Sequence, residues 1–138
     1  MDPVTAIGLV ASIASLVKAG RTISNQIILF WKAPKYVKEL RDNLSEFAFF
    51  FEASEQSLRN VDSERVKSII VEAKETLDKL KRIVEEVEVE VEVDGGQSKK
   101  NEIRRIKWLR KEKACCDLQK QLARHRSSVK DIMIVTQS

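Results

Sequence analysis

The chain has a single histidine, His125. One imidazole has no second imidazole with which to share a metal, and no Cys, His and carboxylate residues recur at metal-ligand spacing. No serine or cysteine has the partners of a nucleophilic triad, and no glycine-rich loop is present to cradle a phosphate. His125 falls on the apolar repeat of a helix and reads as a packed or partner-bonded core residue. The expectation is a chain without enzymatic activity and without a cofactor. Cys115 and Cys116 are the only cysteines. Neighbours on a helix point about 100° apart and cannot close an ordinary disulfide on each other. They point to a reduced, cytoplasmic setting.

The densest set of charged side chains is basic: Lys99, Lys100, Arg104, Arg105 and Lys107, followed by Arg110, Lys111 and Lys113. Such a run is either a solvated face or a contact for an anionic surface. It matches no nucleic-acid-binding motif, so no specific nucleic acid is expected. The net charge of +4 conceals an asymmetry. Residues 61–97 hold eleven acids and six bases, a net −5; residues 98–138 hold twelve bases and four acids, a net +8. Attraction between an acidic and a basic helix is one reading of that contrast. A basic helix that meets anionic lipid is the other.

The elements that carry these residues read as four helices. Pro3 to Val17 is a run of fifteen uncharged residues in a chain that is 33% charged. A helix of that length spans roughly 22 Å, short of the ~30 Å of bilayer hydrocarbon, so it is no conventional transmembrane segment. Asp2 and Pro3 suit a helix start. Small residues recur at Gly8/Ser12 and Ala11/Ser15, a spacing that lets helices approach closely. The first helix is expected to run to Phe30 or Trp31, with Gly20 as a weak point.

The second helix is expected over Pro34–Arg59, with a seam of Val37, Leu40, Leu44, Phe47, Phe51, Ser54 and Leu58. Phe49 and Phe50 lie off that seam. Asp62 can cap the third helix, whose seam is Val66, Ile70, Ala73, Leu77, Leu80, Val84 and Val87. The alternation from Val87 to Val93 has the period of a strand, but a solitary strand has no partner. Frayed helix or an extended segment is expected there, then a loop over 94–98. The fourth helix is expected over Asn101–Val135, with Trp108, Cys115, Leu118, Leu122, His125, Val129 and Ile132 on its seam. Short connections and matching periods give an all-α fold, an antiparallel up-and-down four-helix bundle, in one domain over residues 1–138.

Three stretches resemble a known family. Met1-Asp2-Pro3-Val4 followed by Ala6-Ile7-Gly8-Leu9-Val10-Ala11-Ser12-Ile13 resembles the opening of the N-terminal domains of fungal STAND/NLR-type (NACHT) receptors. Ala33-Pro34-Lys35-Tyr36-Val37-Lys38-Glu39-Leu40 resembles the entry to their second helix. Lys107-Trp108-Leu109 with Leu118 to Arg126 resembles their last helix. These domains group with the HeLo-like and SesA-like families. The resemblance implies a helical bundle that serves as an effector in programmed cell death or incompatibility. It implies self-association, a C-terminal nucleotide-binding receptor module in cis or in trans, and a move from cytoplasm to plasma membrane on activation. On that reading Val4, Ile7, Gly8, Leu9, Ser12, Ile13 and Leu16 serve membrane engagement and oligomerisation. Lys99, Lys100, Arg104, Arg105 and Lys107 then meet anionic lipid. The alternative is a non-toxic interaction module.

Overall fold

Helix α1 spans Pro3–Gln26, α2 Lys35–Leu58, α3 Ser63–Asp94 and α4 Lys100–Gln137. The computed structural model describes the backbone of residues 3–61, 63–94 and 99–137 and the side chains of residues 8–61, 64–94 and 99–135. Asp2, Asp62 and the loop residues 95–98 lie outside the described residues, as do the side chains of Val4 and Ile7. All four helices contribute to one buried apolar cluster. Leu44, Phe47, Leu77, Leu80, Leu118 and Leu122 are all in it, as their three- and four-residue spacing requires. Ser54 and His125 are the seam positions that are only half-buried. Each is polar, so each keeps part of its surface in water.

Cross-helix contacts fix the packing order. Ser24 of α1 meets Ser45 of α2, and the side of Gly20 faces Ala48 and Leu44. Numbers fall on one helix as they rise on the other, so this pair is antiparallel. The α3–α4 pair is antiparallel by the same test, with Thr76 near His125 and Glu92 on Lys100. Gly8 faces Lys67 and Ser15 meets Lys74, so α1 and α3 run in the same direction. Tyr36 donates to the Trp108 carbonyl and Asn43 meets Gln119, so α2 and α4 do likewise. Going round the bundle the order is α1, α2, α4, α3.

Three features differ from the sequence expectation. Helix α1 stops at Gln26 although the next five residues are uncharged. Ile27 still donates to the Ile23 carbonyl at 3.2 Å and is buried. Ala33 then donates to the Phe30 carbonyl at 3.0 Å, closing a turn in which Lys32 has φ 67°. That conformation is the third-position geometry of a turn, six residues beyond the end of α1. Pro34, with ψ 144°, precedes the first turn of α2. Gly20 is no weak point: α1 is continuous through it, and the missing side chain gives α2 a close approach.

The third difference is the Val-Glu alternation, which is regular helix through Asp94. Val87 and Val91 are one turn apart and fully buried, extending the α3 seam. Val89 and Val93 point outward, 62% and 78% exposed. The intervening carboxylates find partners on α4, which removes the need for a strand.

Candidate functional site

The basic run on α4 lies against the acidic end of α3. Arg104 is 8% exposed and its guanidinium is forked on Glu88, with Nε to Oε2 at 2.8 Å and Nη2 to Oε1 at 3.0 Å. Its Nη1 donates to Asn101 at 3.0 Å, and its plane lies 5.7 Å from the Phe30 ring. Lys100 pairs with Glu92 at 3.0 Å. Lys107 bridges Glu90 at 3.4 Å and Asp94 at 3.1 Å, and the Asp94 hydrogen bond holds its pKa above the usual lysine value. Lys111 reaches Glu86 at 3.1 Å. Each α3 acid from Glu86 to Asp94 thus meets a base on α4. Arg105 turns the other way and donates to the Lys32 carbonyl at 3.1 Å, while Lys99 is exposed. Of the five residues assigned to anionic lipid, three are therefore engaged with carboxylates inside the bundle.

The residues assigned to α1 divide between two faces. Leu9, Ile13 and Leu16 are 0–1% exposed and sit in the core. Gly8 and Ser12 are half-buried, and the Ser12 hydroxyl donates to the Gly8 carbonyl at 2.9 Å. Lys67 and Lys74 of α3 lie along this flank. Lys74 donates to the Ser15 hydroxyl at 2.7 Å, and Lys67 Nζ is 3.9 Å from where a side chain on Gly8 would begin. Sequence reasoning missed these two lysines; only their two-turn spacing on the outer side of the α3 seam hinted at them. Between α1 and α2 runs a groove of about 430 Å³, lined by Ile13, Val17, Arg21 and Glu52 among others. Arg21 and Glu52 are ion-paired there.

The two groups of residues are at opposite ends of the molecule. Gly8 lies near the start of α3, whereas Arg104 and Lys107 lie at its finish. A 24-residue helix such as α1 is about 36 Å long, so the groups are separated by most of the bundle. The structure brings together the basic run and the α1–α2 connection instead. That connection exposes Ile28, Leu29 and Trp31, at 46%, 45% and 80%.

Three further titratable groups, His125, Cys115 and Tyr36, lie wholly or partly inside the bundle. His125 Nε2 is 3.3 Å from the Thr76 hydroxyl and Nδ1 is 4.0 Å from Glu72. Burial lowers the His125 pKa, Glu72 opposes that shift, and neighbouring Arg124 adds to it. Burial likewise pushes the Cys115 thiol up to about 12 and raises the Tyr36 phenol. A thiol held protonated in this way is a poor nucleophile. Phe50 is half-buried under Arg126 and Lys130, at 5.3 and 5.5 Å from its ring, and Phe49 beside it is 68% exposed. Among the described residues no three Cys, His, Asp or Glu side chains gather as a metal site, and no helix is long and apolar enough to cross a membrane.

In comparisons with known proteins, no family model, no curated protein and no solved structure matches the chain.

Proposed function

We propose that the chain is the N-terminal effector bundle of a fungal STAND/NLR-type receptor, a four-helix module of two antiparallel hairpins without catalytic activity. It acts by self-association and, once activated, moves from the cytoplasm to the plasma membrane, which it engages through α1. Its partners are further copies of itself, anionic lipids and a nucleotide-binding receptor module in cis or in trans. The observation that carries this reading is the two-sided character of α1. Its large apolar residues are in the core, yet its outer positions from Gly8 to Val17 carry no charge: Ala11 and Ala14 are exposed and Val10 is half-buried. The outer positions of α2, α3 and α4 are dominated by Lys, Arg, Asp and Glu. A helix with small uncharged residues outside suits close helix–helix approach in an assembly or in lipid.

The test is to fuse the full chain to an inducible oligomeriser and to measure leakage from vesicles containing phosphatidylserine. Leakage that disappears when residues 1–17 are deleted is the expected result. A folded, oligomerised chain that leaves such vesicles intact overturns the effector reading. It would favour the second reading, a non-toxic interaction module, for which Phe49 supplies the support as an exposed aromatic beside a cation-capped one.

A further inference from the structure

We propose that the end of the bundle formed by the α1–α2 connection and the first turns of α4 is an interfacial tip through which the protein makes its first contact with an anionic bilayer. The inference rests on the membrane reading above but assigns first contact to the end opposite the start of α1.

Three of four consecutive residues in the connection, Ile28, Leu29 and Trp31, are large, apolar and exposed. The fourth, Phe30, is half-buried and packs on the core beneath Arg104. The turn is held in place. Lys32 has a left-handed backbone, its carbonyl accepts from Arg105, and Ala33 closes the turn on Phe30. A fixed turn keeps these side chains in water although burying them is favourable, which marks a contact surface. Trp31 is the most exposed large apolar residue described, and the Lys32 ammonium lies 4.5 Å from its ring centroid. An indole with an adjacent cation suits the headgroup level of a membrane.

The charge around the tip is complementary to such a surface. The two clefts on either side of it are lined by Lys32, Lys35 and Arg105, against Glu102 as their acid. Lys35 makes a long contact with Glu39, 3.7 Å, with its side chain 91% exposed. Lys99 is exposed at the start of α4. The cations already matched by carboxylates, Lys100, Arg104 and Lys107, face α3 instead. Ile106 lines the cleft between Ala33–Pro34 and Arg105 and is itself half exposed. Aliphatic side chains gain nothing from a phosphodiester backbone but do gain from the headgroup–acyl boundary, which selects a bilayer over a nucleic acid.

The experiment uses the full chain with vesicles of phosphatidylcholine and phosphatidylserine, and with phosphatidylcholine alone. Sedimentation measures partitioning and tryptophan emission measures insertion. Trp108 is already buried, so a blue shift reports Trp31. The expected result is binding to the phosphatidylserine vesicles with a blue shift that Trp31→Ala abolishes. Lys32→Glu with Lys35→Glu changes four units of charge and should weaken partitioning by several hundredfold, at about fivefold for each unit near the surface. Circular dichroism should be unchanged, since these three side chains are exposed. Failure of the wild type to bind at low salt overturns the proposal, as does binding without a blue shift. Binding lost only on deletion of residues 1–17 also overturns it and leaves the effector reading standing. Salt-sensitive binding to duplex DNA without vesicle binding overturns it in favour of nucleic acid. Tip-dependent binding by a chain that causes no leakage when oligomerised supports the tip and removes the effector reading.

Discussion

At the end where α3 finishes and α4 begins, ion pairs join neighbouring helices turn by turn, from Glu86–Lys111 to Glu92–Lys100. At the other end α1 enters the bundle through Leu9, Ile13 and Leu16, all in the core, and Ser15 accepts from Lys74 of α3. One end is specified by directional, charge-dependent contacts and the other by apolar burial. Under the proposed function, this difference lets one bundle combine a fixed frame with a releasable element. Ion pairs fix which helices are neighbours, whereas apolar contacts in α1 are equally satisfied by lipid or by another copy of the helix.

The comparison is broken most directly from the α1 side. Ile13→Ala removes a side chain that is 1% exposed, and it should cost about 3 kcal/mol as a large-to-small change in a packed core. Hydrogen exchange should rise first in the amides of α1, ahead of those of α3 and α4. Uniform acceleration across all four helices would show that α1 does not loosen separately.

From the opposite side, Glu88→Ala leaves the Arg104 guanidinium buried without its carboxylate. The expected loss is about 2–3 kcal/mol in urea melts, somewhat below the range for fully buried pairs because Glu88 keeps 27% of its side-chain surface. Glu88→Leu combined with Arg104→Met should recover most of that loss. A double variant as unstable as the single one would mean that the pair contributes more than cancellation of its own desolvation.

The acidic and basic halves were legible in the sequence as mutual attraction, and so were the seams, because apolar steps of three and four survive any detail of packing. The state of Val87–Val93 was not. Valine at every second position also places Val87 and Val91 one turn apart, and only the acceptance of Glu88, Glu90 and Glu92 by α4 decides for helix. The end of α1 was hidden for a similar reason. Residues 27–31 continue its apolar run, yet the helix stops at Gln26 and the chain turns at Lys32, with Ile27 and Ala33 buried on the way. Trp31 was read as the end of that helix; its exposure depends on a turn that no local pattern announces.

Changing pH separates the two halves in opposite directions. His125 lies toward the α1-entry end, facing Thr76 and Glu72 of α3. Its native pKa is depressed below 6.5. Below that value the unfolded chain binds more protons than the native one, so stability should fall as pH drops through and below about 6.5. Cys115 lies in the other half, and its native pKa is raised from 9.0 to about 12. Above about pH 9 the native chain binds more protons, so stability should fall as pH rises, with the Tyr36 phenol acting in the same sense. His125→Gln should flatten the acid limb and Cys115→Ala part of the alkaline limb. Retention of the full acid slope in His125→Gln would show that His125 is not its origin.

The smallest effect expected is a gain, and it lies between the two ends. Gly20 is inside α1, where glycine is about 1 kcal/mol less favourable than alanine. A side chain begun there would lie 3.5 Å from Ala48 Cβ, 3.6 Å from the Leu44 carbonyl oxygen and 3.9 Å from the Phe47 ring. All three are ordinary van der Waals distances, so one methyl group fits and a larger side chain does not. Gly20→Ala should therefore stabilise the bundle by about 0.5–1 kcal/mol in thermal or urea melts. It should also slow exchange in α1 and reduce leakage by the oligomerised chain if release of α1 is the step that matters. Gly20→Leu should do the reverse by forcing α1 away from α2. If the alanine variant is stabilised and its leakage is unchanged, α1 remains seated while the protein acts on vesicles, and the contrast between a fixed end and a releasable one fails.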